Sequence, residues 1–229
     1  MKVGAIILSR YNSSRLHGKV LHKIHGTPLV HHIVNRLSQY FPLNNIVLAT
    51  SNEPSDDPIA EYARQNEIQL FRGSLNNVAH RFAEAAMSIE ADAAIRINGD
   101  NLFIDLESLD EMIRIYDGGE YDFVSNVPQR TFPFGMSIEI VNVDFYYKVL
   151  PKMTTRSWQE HVTLYLYENE TGRQFHYRNS KCPSMQGKKL AIDTTEDLEK
   201  ANKIMEVLNP DFYNYDLCKL SKILDEIDE

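Results

Sequence analysis

The chain has 229 residues, with 24 Lys and Arg against 32 Asp and Glu and a formal net charge of -8. That length buries one sizeable core, and the acidic balance argues against a general nucleic-acid binder. Hydrophobic residues make up 43% and charged residues 24%, and the apolar runs are too short to span a bilayer, so no membrane segment and a cytoplasmic protein are expected.

The first predicted element is a buried strand, the apolar run Val3 to Leu8, which stops at Ser9. The next eleven residues bring Arg10, Arg15 and Lys19 together with Asn12, Ser13, Ser14 and Gly18. In open α/β sheets, ligands bind where such a loop leaves the carboxyl end of a strand. Cations gathered in one loop of an acidic protein mark the place of an anion, and backbone amides with cations suit a polyphosphate. A nucleotide triphosphate site is the reading that follows, with a solvated basic loop as its alternative. Neither GxxxxGK[ST] nor GxGxxG is present, which counts against a Walker A loop and a dinucleotide cofactor.

Beyond the loop, Leu29, Val30, Ile33, Val34 and Leu37 follow helical spacing, with Thr27 as N-cap and Pro28 at the first helical position. IVLATS is a strand, and a second helix starts at Asp57-Pro58 and runs to about Asn66. Ile68 to Phe71 is a third strand closed by Arg72-Gly73-Ser74, and Val78 to Ile89 a helix. Ala93 to Ile97 is a strand ending at Asn98-Gly99-Asp100; Leu106 to Tyr116 is helical and Asp122 to Ser125 a strand. This alternation predicts an α/β, Rossmann-like, three-layer fold with a mostly parallel central sheet.

From Asn126 the rhythm changes. A loop, VPQRTFPFG, precedes the alternating strand MSIEIV, a helix over Val143 to Leu150 and another over Trp158 to Asn169. Arg173 to Arg178 alternates like a strand that pairs antiparallel or reaches toward a neighbouring subunit. Leu190 to Asp193 is a last short strand, followed by an amphipathic helix capped by Thr194 and a helical tail with a solvated acidic end.

Nucleotidyl transfer needs electrostatic stabilisation of the phosphoryl oxygens and of the leaving pyrophosphate, which Arg10, Ser13, Arg15 and Lys19 are placed to give. Asp100 and Asp193, each at the end of a predicted strand, are candidate magnesium ligands, because that ion takes one or two carboxylates plus phosphate oxygens. Their alternatives are a turn residue and a helix-cap neighbour. His22, His25, His31 and His32 cluster in sequence without sharing a helix face and are not read as a metal site. Cys182 and Cys218 lack CxxC spacing and are read as free thiols. Tyr165, Tyr167, Phe175 and Tyr177 are read as core or subunit interface rather than a nucleic-acid platform. No arrangement of serine, cysteine and histidine suggests a covalent intermediate, so attack is direct and in line.

SRYNSSRLHGKVL resembles the signature loop of the cytidylyltransferases that make CMP-sugar acids, and more closely their spore-coat polysaccharide biosynthesis F type branch. LATSNEPSDDPIAEYA, FRGSLNNVAHRF, IRINGDNLFID, YDFVSN, RTFPFGMSIEI, EHVTLYLYEN and AIDTTEDLEKA are similar to that branch in the same order, from Lys2 to about Leu208. The resemblance implies CMP transfer from CTP to a sugar acid or related acceptor, with magnesium and pyrophosphate release, in surface glycan synthesis. It implies a nucleotidyltransferase domain over 1-208, with 126-189 for acceptor binding or dimerisation, a C-terminal helical tail over 209-229, and a homodimer through Met136 to Tyr177. By position, Arg10, Ser13, Arg15 and Lys19 hold the CTP phosphates, with Arg10, Arg15, Lys19 and Asp100 as the catalytic set. Thr50, Ser51, Arg72, Ser74 and Arg81 lie around base and ribose, and Asp100 and Asp193 hold magnesium. Arg96, Asn98, Glu139, Glu160 and His161 face the acceptor. Where the family loop usually has glycine and proline this chain has Asn12 and His17, the first able to take positive φ and the second expected to loosen the loop. Asn101, Leu102 and Ser137 depart near the acceptor pocket. The alternatives are a transferase using another NTP and a phosphorylated acceptor, or a non-catalytic nucleotide-binding homologue.

Overall fold

The run Val3–Leu8 forms strand β1 in the computed structural model, which describes residues 1-13 and 15-228. Ser14, one of the polar loop residues, lies outside the described residues. Side chains of β1 alternate between two covered faces: Ala5 and Ile7 join one core cluster, Ile6 and Leu8 the other. A strand buried on both faces reads as a continuous apolar run, which is why this one was legible without alternation.

A small antiparallel hairpin, β2 (Lys23–Ile24) and β3 (Thr27–Pro28), follows the loop. The main sheet adds β4 (Ile46–Ser51), β5 (Gln69–Gly73), β6 (Ala93–Asn98), β7 (Phe123–Ser125), β8 (Glu139–Asn142) and β9 (Gln174–His176). Strand order is β5-β4-β1-β6-β8-β7-β9, and β8 alone runs antiparallel to its neighbours. The chain leaves β1 toward β4 and β5 on one side and returns to β6 on the other. The crevice beyond the carboxyl ends of these strands is therefore the switch point where ligands bind.

Helices α1 (Leu29–Ser38), α2 (Asp57–Gln65), α4 (Leu106–Asp117), α8 (Thr195–Leu208) and α9 (Leu217–Asp228) pack on the face of Ala5 and Ile7. On the opposite face lie α3 (Val78–Ser88), α5 (Val143–Val149), α6 (Arg156–Glu160) and α7 (Leu164–Glu168). This is the expected three-layer, mostly parallel fold. Among the described residues no helix is long and apolar enough to cross a membrane.

Several local expectations are corrected. Thr27 is not an N-cap: it pairs with Ile24 in the β2-β3 hairpin, and Pro28 takes the cap position without a side-chain hydrogen bond. The predicted helix over 158-169 is two short helices broken at Val162, whose φ is 51°. Tertiary contacts hold that break, since the Val162 carbonyl accepts from Tyr146 at 2.7 Å and Thr163 Oγ1 donates to Glu139 at 2.6 Å. Strand β9 pairs parallel with β7 within its own chain rather than antiparallel. Leu190 to Asp193 is not a strand; only Lys189 makes an isolated bridge, to Phe134. Strand β8 starts later than MSIEIV because Asn126 takes a strand's place there, donating to the Met136 carbonyl and accepting from the Ile138 amide, both at 2.8 Å. Thr194 caps α8 as the sequence indicated, and Asp197 completes a capping box with it.

Helix α1 also fastens the segment before α9. Arg36 donates to the carbonyls of Ile104 at 2.9 Å, Tyr215 at 2.9 Å and Tyr213, and its guanidinium lies 3.9 Å from the Tyr215 ring centre. His32 Nε2 lies 2.8 Å from the Ile24 carbonyl and Nδ1 2.9 Å from the Tyr213 hydroxyl, and burial lowers its pKa.

Candidate active site

At the carboxyl ends of β1 and β6 the backbones come close. The Gly99 amide donates to the Leu8 carbonyl at 2.9 Å, and a Cβ on Gly99 would sit 2.2 Å from Ser9 Oγ. Only glycine allows that approach. The loop beyond β1 folds on itself around Tyr11, whose carbonyl accepts from Gly18 at 2.8 Å and from Ser13 at 2.9 Å. Gly18, at φ 66°, is the left-handed residue among the described residues of this loop; Asn12 does not take positive φ. His17 packs edge-on against Tyr11 at 4.9 Å, occupying the position where proline was missed.

Asp56, with no solvent exposure, anchors the loop from outside. Its carboxylate accepts from the Tyr11 amide at 2.7 Å, the Ser51 amide at 2.9 Å, Ser51 Oγ at 2.5 Å and Thr50 Oγ1 at 2.9 Å. Burial works against its charge, but these donors outweigh it and hold the carboxyl below the ordinary range. Asp56 stands before α2 as an ordinary cap residue would, and nothing in the sequence separated it from that role.

The cleft so formed has a volume of about 390 Å³. Of the predicted residues, Arg10, Ser13, Arg15, Lys19, Arg81, Arg96, Asn98, Asp100, Glu160, His161 and Asp193 line it. Lys19 Nζ donates to Asp100 Oδ2 at 2.8 Å, to Asp193 Oδ1 at 3.2 Å and to the Ile192 carbonyl at 3.0 Å. Arg15 reaches Asp193 at 2.9 Å, and Arg10 reaches Glu160 at 3.0 Å. Each loop cation thus already faces a carboxylate drawn from β6, α6 or the segment before α8.

Five predicted residues do not line the cleft. Thr50 and Ser51 are buried on Asp56. Arg72 clamps the β4-α2 turn through the Ser51 carbonyl at 2.8 Å, the Glu53 carbonyl at 2.9 Å and Asp57 at 2.7 Å. The Ser74 carbonyl accepts from Arg81 at 2.8 Å, bracing that guanidinium. Glu139 lies behind Arg96, pairing with its Nη1 and accepting from Thr163 Oγ1 and Tyr167 OH, each at 2.6 Å. Burial opposes the Arg96 charge, yet Glu139 outweighs it and raises the pKa. Arg81 is lowered to about 10 by burial, against Asp56 and Glu160.

Ser9 Oγ, Arg81 Nε and Arg96 Nε are buried without a hydrogen-bond partner among the described residues, and all three belong to cleft-lining residues. Buried polar atoms are paired in folded proteins unless a ligand supplies the partner, so these orphans mark a polar, anion-accepting site. Val162, strained and β-branched, turns the chain beside Glu160 and His161. On α6, Trp158 Nε1 donates to Glu168 at 2.6 Å and its ring meets Tyr165 edge-on at 5.0 Å.

Because Asp100 and Asp193 converge on one ammonium, their carboxylates already meet around one cation. Among the described residues no group of three or more His, Cys, Asp or Glu is arranged for a metal. Two hard oxygen donors, with phosphate and water completing the shell, fit magnesium. A second hollow of about 430 Å³ adjoins the first and shares Asn98, Asp100 and Asp193 with it; Asn101 and Ser137 line it, whereas Leu102 is buried in the core.

Comparison with known proteins agrees with this geometry. Residues 4-222 match the family described as Cytidylyltransferase. The spore coat polysaccharide biosynthesis protein SpsF of Bacillus subtilis is 30% identical over 212 residues, 88% of this chain and 85% of that one. A 3-deoxy-manno-octulosonate cytidylyltransferase of Geobacter metallireducens is 30% identical over 113 residues, 49% of this chain and 44% of its own. The structure of a cytidylyltransferase from Leptospira borgpetersenii superposes with a TM-score of 0.91 at 31% identity, covering 100% of this chain and 95% of the other. With the match running through β1, its cationic loop and both aspartates, the chain belongs to the cytidylyltransferase family and is a CTP-dependent nucleotidyltransferase.

Proposed function

We propose that the chain transfers CMP from CTP to a sugar acid or related polyol acid, releasing pyrophosphate, for surface polysaccharide synthesis. The observation that carries this reading is the convergence of Lys19, Asp100 and Asp193 at one point of a cleft ringed by Arg10, Arg15 and Arg81. The names of the spore-coat and octulosonate relatives support a sugar-acid acceptor and a role in surface polysaccharide synthesis.

CTP phosphates draw Arg10, Arg15 and Lys19 off their carboxylates, so that cations neutralise charge on the triphosphate while Asp100 and Asp193 are released. Asp100 and Asp193 would then hold magnesium, which when bound adds positive charge beside the phosphoryl oxygens. An acceptor oxygen forms a new bond to the α-phosphorus as the α-β bridging P–O bond breaks, its electron pair leaving with pyrophosphate. An ionised acceptor oxygen has no proton to lose, and the proton of a hydroxyl acceptor passes to water in the cleft that Asp100 borders. In this reading a second copy packs against the 136-177 region, where Tyr147 is 48% exposed.

Pyrophosphate release measured with CTP, UTP, GTP and ATP in the presence of sugar acids tests the reading. Preference for CTP is expected; equal rates with all four would refute it. Asp100→Asn is expected to lower turnover by about 100-fold or more with folding intact, and retained turnover would remove Asp100 from the reaction.

A further inference from the structure

Cys182 and Cys218 both carry free thiols, and neither is among the residues that line the cleft. The fold nevertheless brings them together. Cys182 opens the short turn Pro183–Met185, and Cys218 stands in the first turn of α9. Cys218 Sγ lies 3.5 Å from the carbonyl oxygen of Lys181, the residue bonded to Cys182. Cys182 Sγ lies 3.3 Å from Ser184 Oγ, which lies 3.0 Å from the Oγ of Ser221, about one turn beyond Cys218 on α9. The two sulfurs are themselves within hydrogen-bonding reach of each other.

Both thiols stand on fixed backbone. Asn179 brackets Cys182, its Oδ1 accepting from the Cys182 amide at 2.9 Å and its Nδ2 donating to the Cys182 carbonyl at 2.7 Å. The start of α9 is held by Arg36, which donates to the Tyr215 carbonyl at 2.9 Å, and by Asp216, which accepts from the Lys219 amide at 2.7 Å. The surroundings make the two sulfurs unlike. Burial works against a charge on Cys182, but contacts to Ser184, Cys218 and Ser221, with Lys188 nearby, outweigh it and hold this thiol below its ordinary range. Cys218 is pushed up to about 11 by its contact with Cys182, by burial and by the charges of Asp216 and Asp105. A sulfur that ionises readily beside one that stays protonated is the arrangement of an attacking and a resolving cysteine. Cys182 is 7% exposed, so only a small reagent reaches it, and a hollow of about 80 Å³ bordered by Cys218, Lys181 and Asp216 opens beside the pair.

We propose that this pair is a peroxide-sensitive staple, in which hydrogen peroxide joins Cys182 to Cys218 and ties α9 to the segment that runs on to Asp193. The Cys182 thiolate attacks one peroxide oxygen, and the O–O bond breaks with its electron pair leaving as hydroxide, which takes up the proton the thiol gave up. Cys182 is then a sulfenic acid. The Cys218 sulfur attacks the Cys182 sulfur, the S–O bond breaks, and hydroxide leaves with the Cys218 proton as water. Two thiols and one peroxide thus give one disulfide and two waters, and a dithiol reductant reverses the change. The link closes the chain between the two residues, α8 included, in the unfolded state as well, which is how it raises stability.

The test treats the reduced full chain with hydrogen peroxide at pH 7 and follows it by intact mass, peptide mapping and thermal melting. Expected are a chain of monomer mass lighter by two hydrogens, a linked pair of peptides carrying Cys182 and Cys218, and a melting temperature about 5 to 15 °C higher, all reversed by dithiothreitol. Cys218→Ser should stop at the sulfenic acid on Cys182, captured by dimedone. Cys182→Ser should slow oxidation of Cys218 at least about tenfold, since little of that sulfur is thiolate. Pyrophosphate release by both reduced variants should match the wild type. A wild-type chain that keeps both thiols through excess peroxide, links formed only between chains, a dimedone adduct on Cys218 in place of Cys182, or an unmoved melting temperature overturns the staple.

Discussion

Asp56 collects two backbone amides and two hydroxyls on a carboxylate that touches no solvent, and through Tyr11 it sets the path of the cationic loop. Replacing it by asparagine turns an amide group toward donors that need an acceptor. Asp56→Asn is expected to cost about 2 to 3 kcal/mol of stability at pH 7, read from urea unfolding. The sign of the pH dependence follows from its lowered pKa. An acid held below its unfolded value adds stability that is complete above the unfolded pKa of about 4 and is lost as pH falls through the folded value. The gap between the two proteins should therefore narrow as pH drops from 7 toward 3, and a constant gap would remove the charge from the explanation. Behind the cleft the buried ion pair of Arg96 with Glu139 fixes a guanidinium whose Nε donor has no partner among the described residues.

At the scale of elements, α1 does more than cover the sheet. Its Arg36 satisfies three backbone carbonyls in the segments before α4 and α9. Arg36→Met keeps the aliphatic stem but orphans those carbonyls, so a loss of about 3 kcal/mol is expected, lowering Tm by about 6 to 12 °C with CTP affinity unchanged. Calorimetry of the melt checks it. Elements with long apolar or strongly periodic patterns, β1, β4, α3 and α8, were legible in sequence because burial on one or both faces dictates their composition. The misses share another cause. The stretches 136-138, Val162 and 190-193 take conformations decided by partners distant in sequence, Asn126, Tyr146 and Phe134, that no local pattern reveals, whereas Thr27 is drawn into a tight hairpin with nearby Ile24. The site divides the same way. Arg10, Lys19 and Asp100 stood out because charge gathers there after apolar strands, whereas Asp56 looks like an ordinary cap residue until the fold places it.

Across the whole molecule, the N-terminal loop is tied to the rest by ion pairs between residues far apart in sequence, Arg10 with Glu160 and Lys19 with Asp100 and Asp193. The cleft therefore exists only when both halves of the chain are folded together. The proposed dimer is a property of this scale too. Light scattering should give twice the monomer mass, and Tyr147→Glu, which places a charge on an exposed ring position of α5, should shift the population to monomer without loss of helical signal. A wild-type monomer at all concentrations would exclude the dimer. Trp158 is the sole tryptophan of the chain, and it lies on α6 two positions before Glu160, the carboxylate that pairs with Arg10. In the proposed reading Arg10 exchanges Glu160 for a phosphate, which would change the charge beside that helix, so the emission of this one indole, followed without any label, is expected to shift as CTP is added, and an unchanged emission at saturating CTP would count against that exchange.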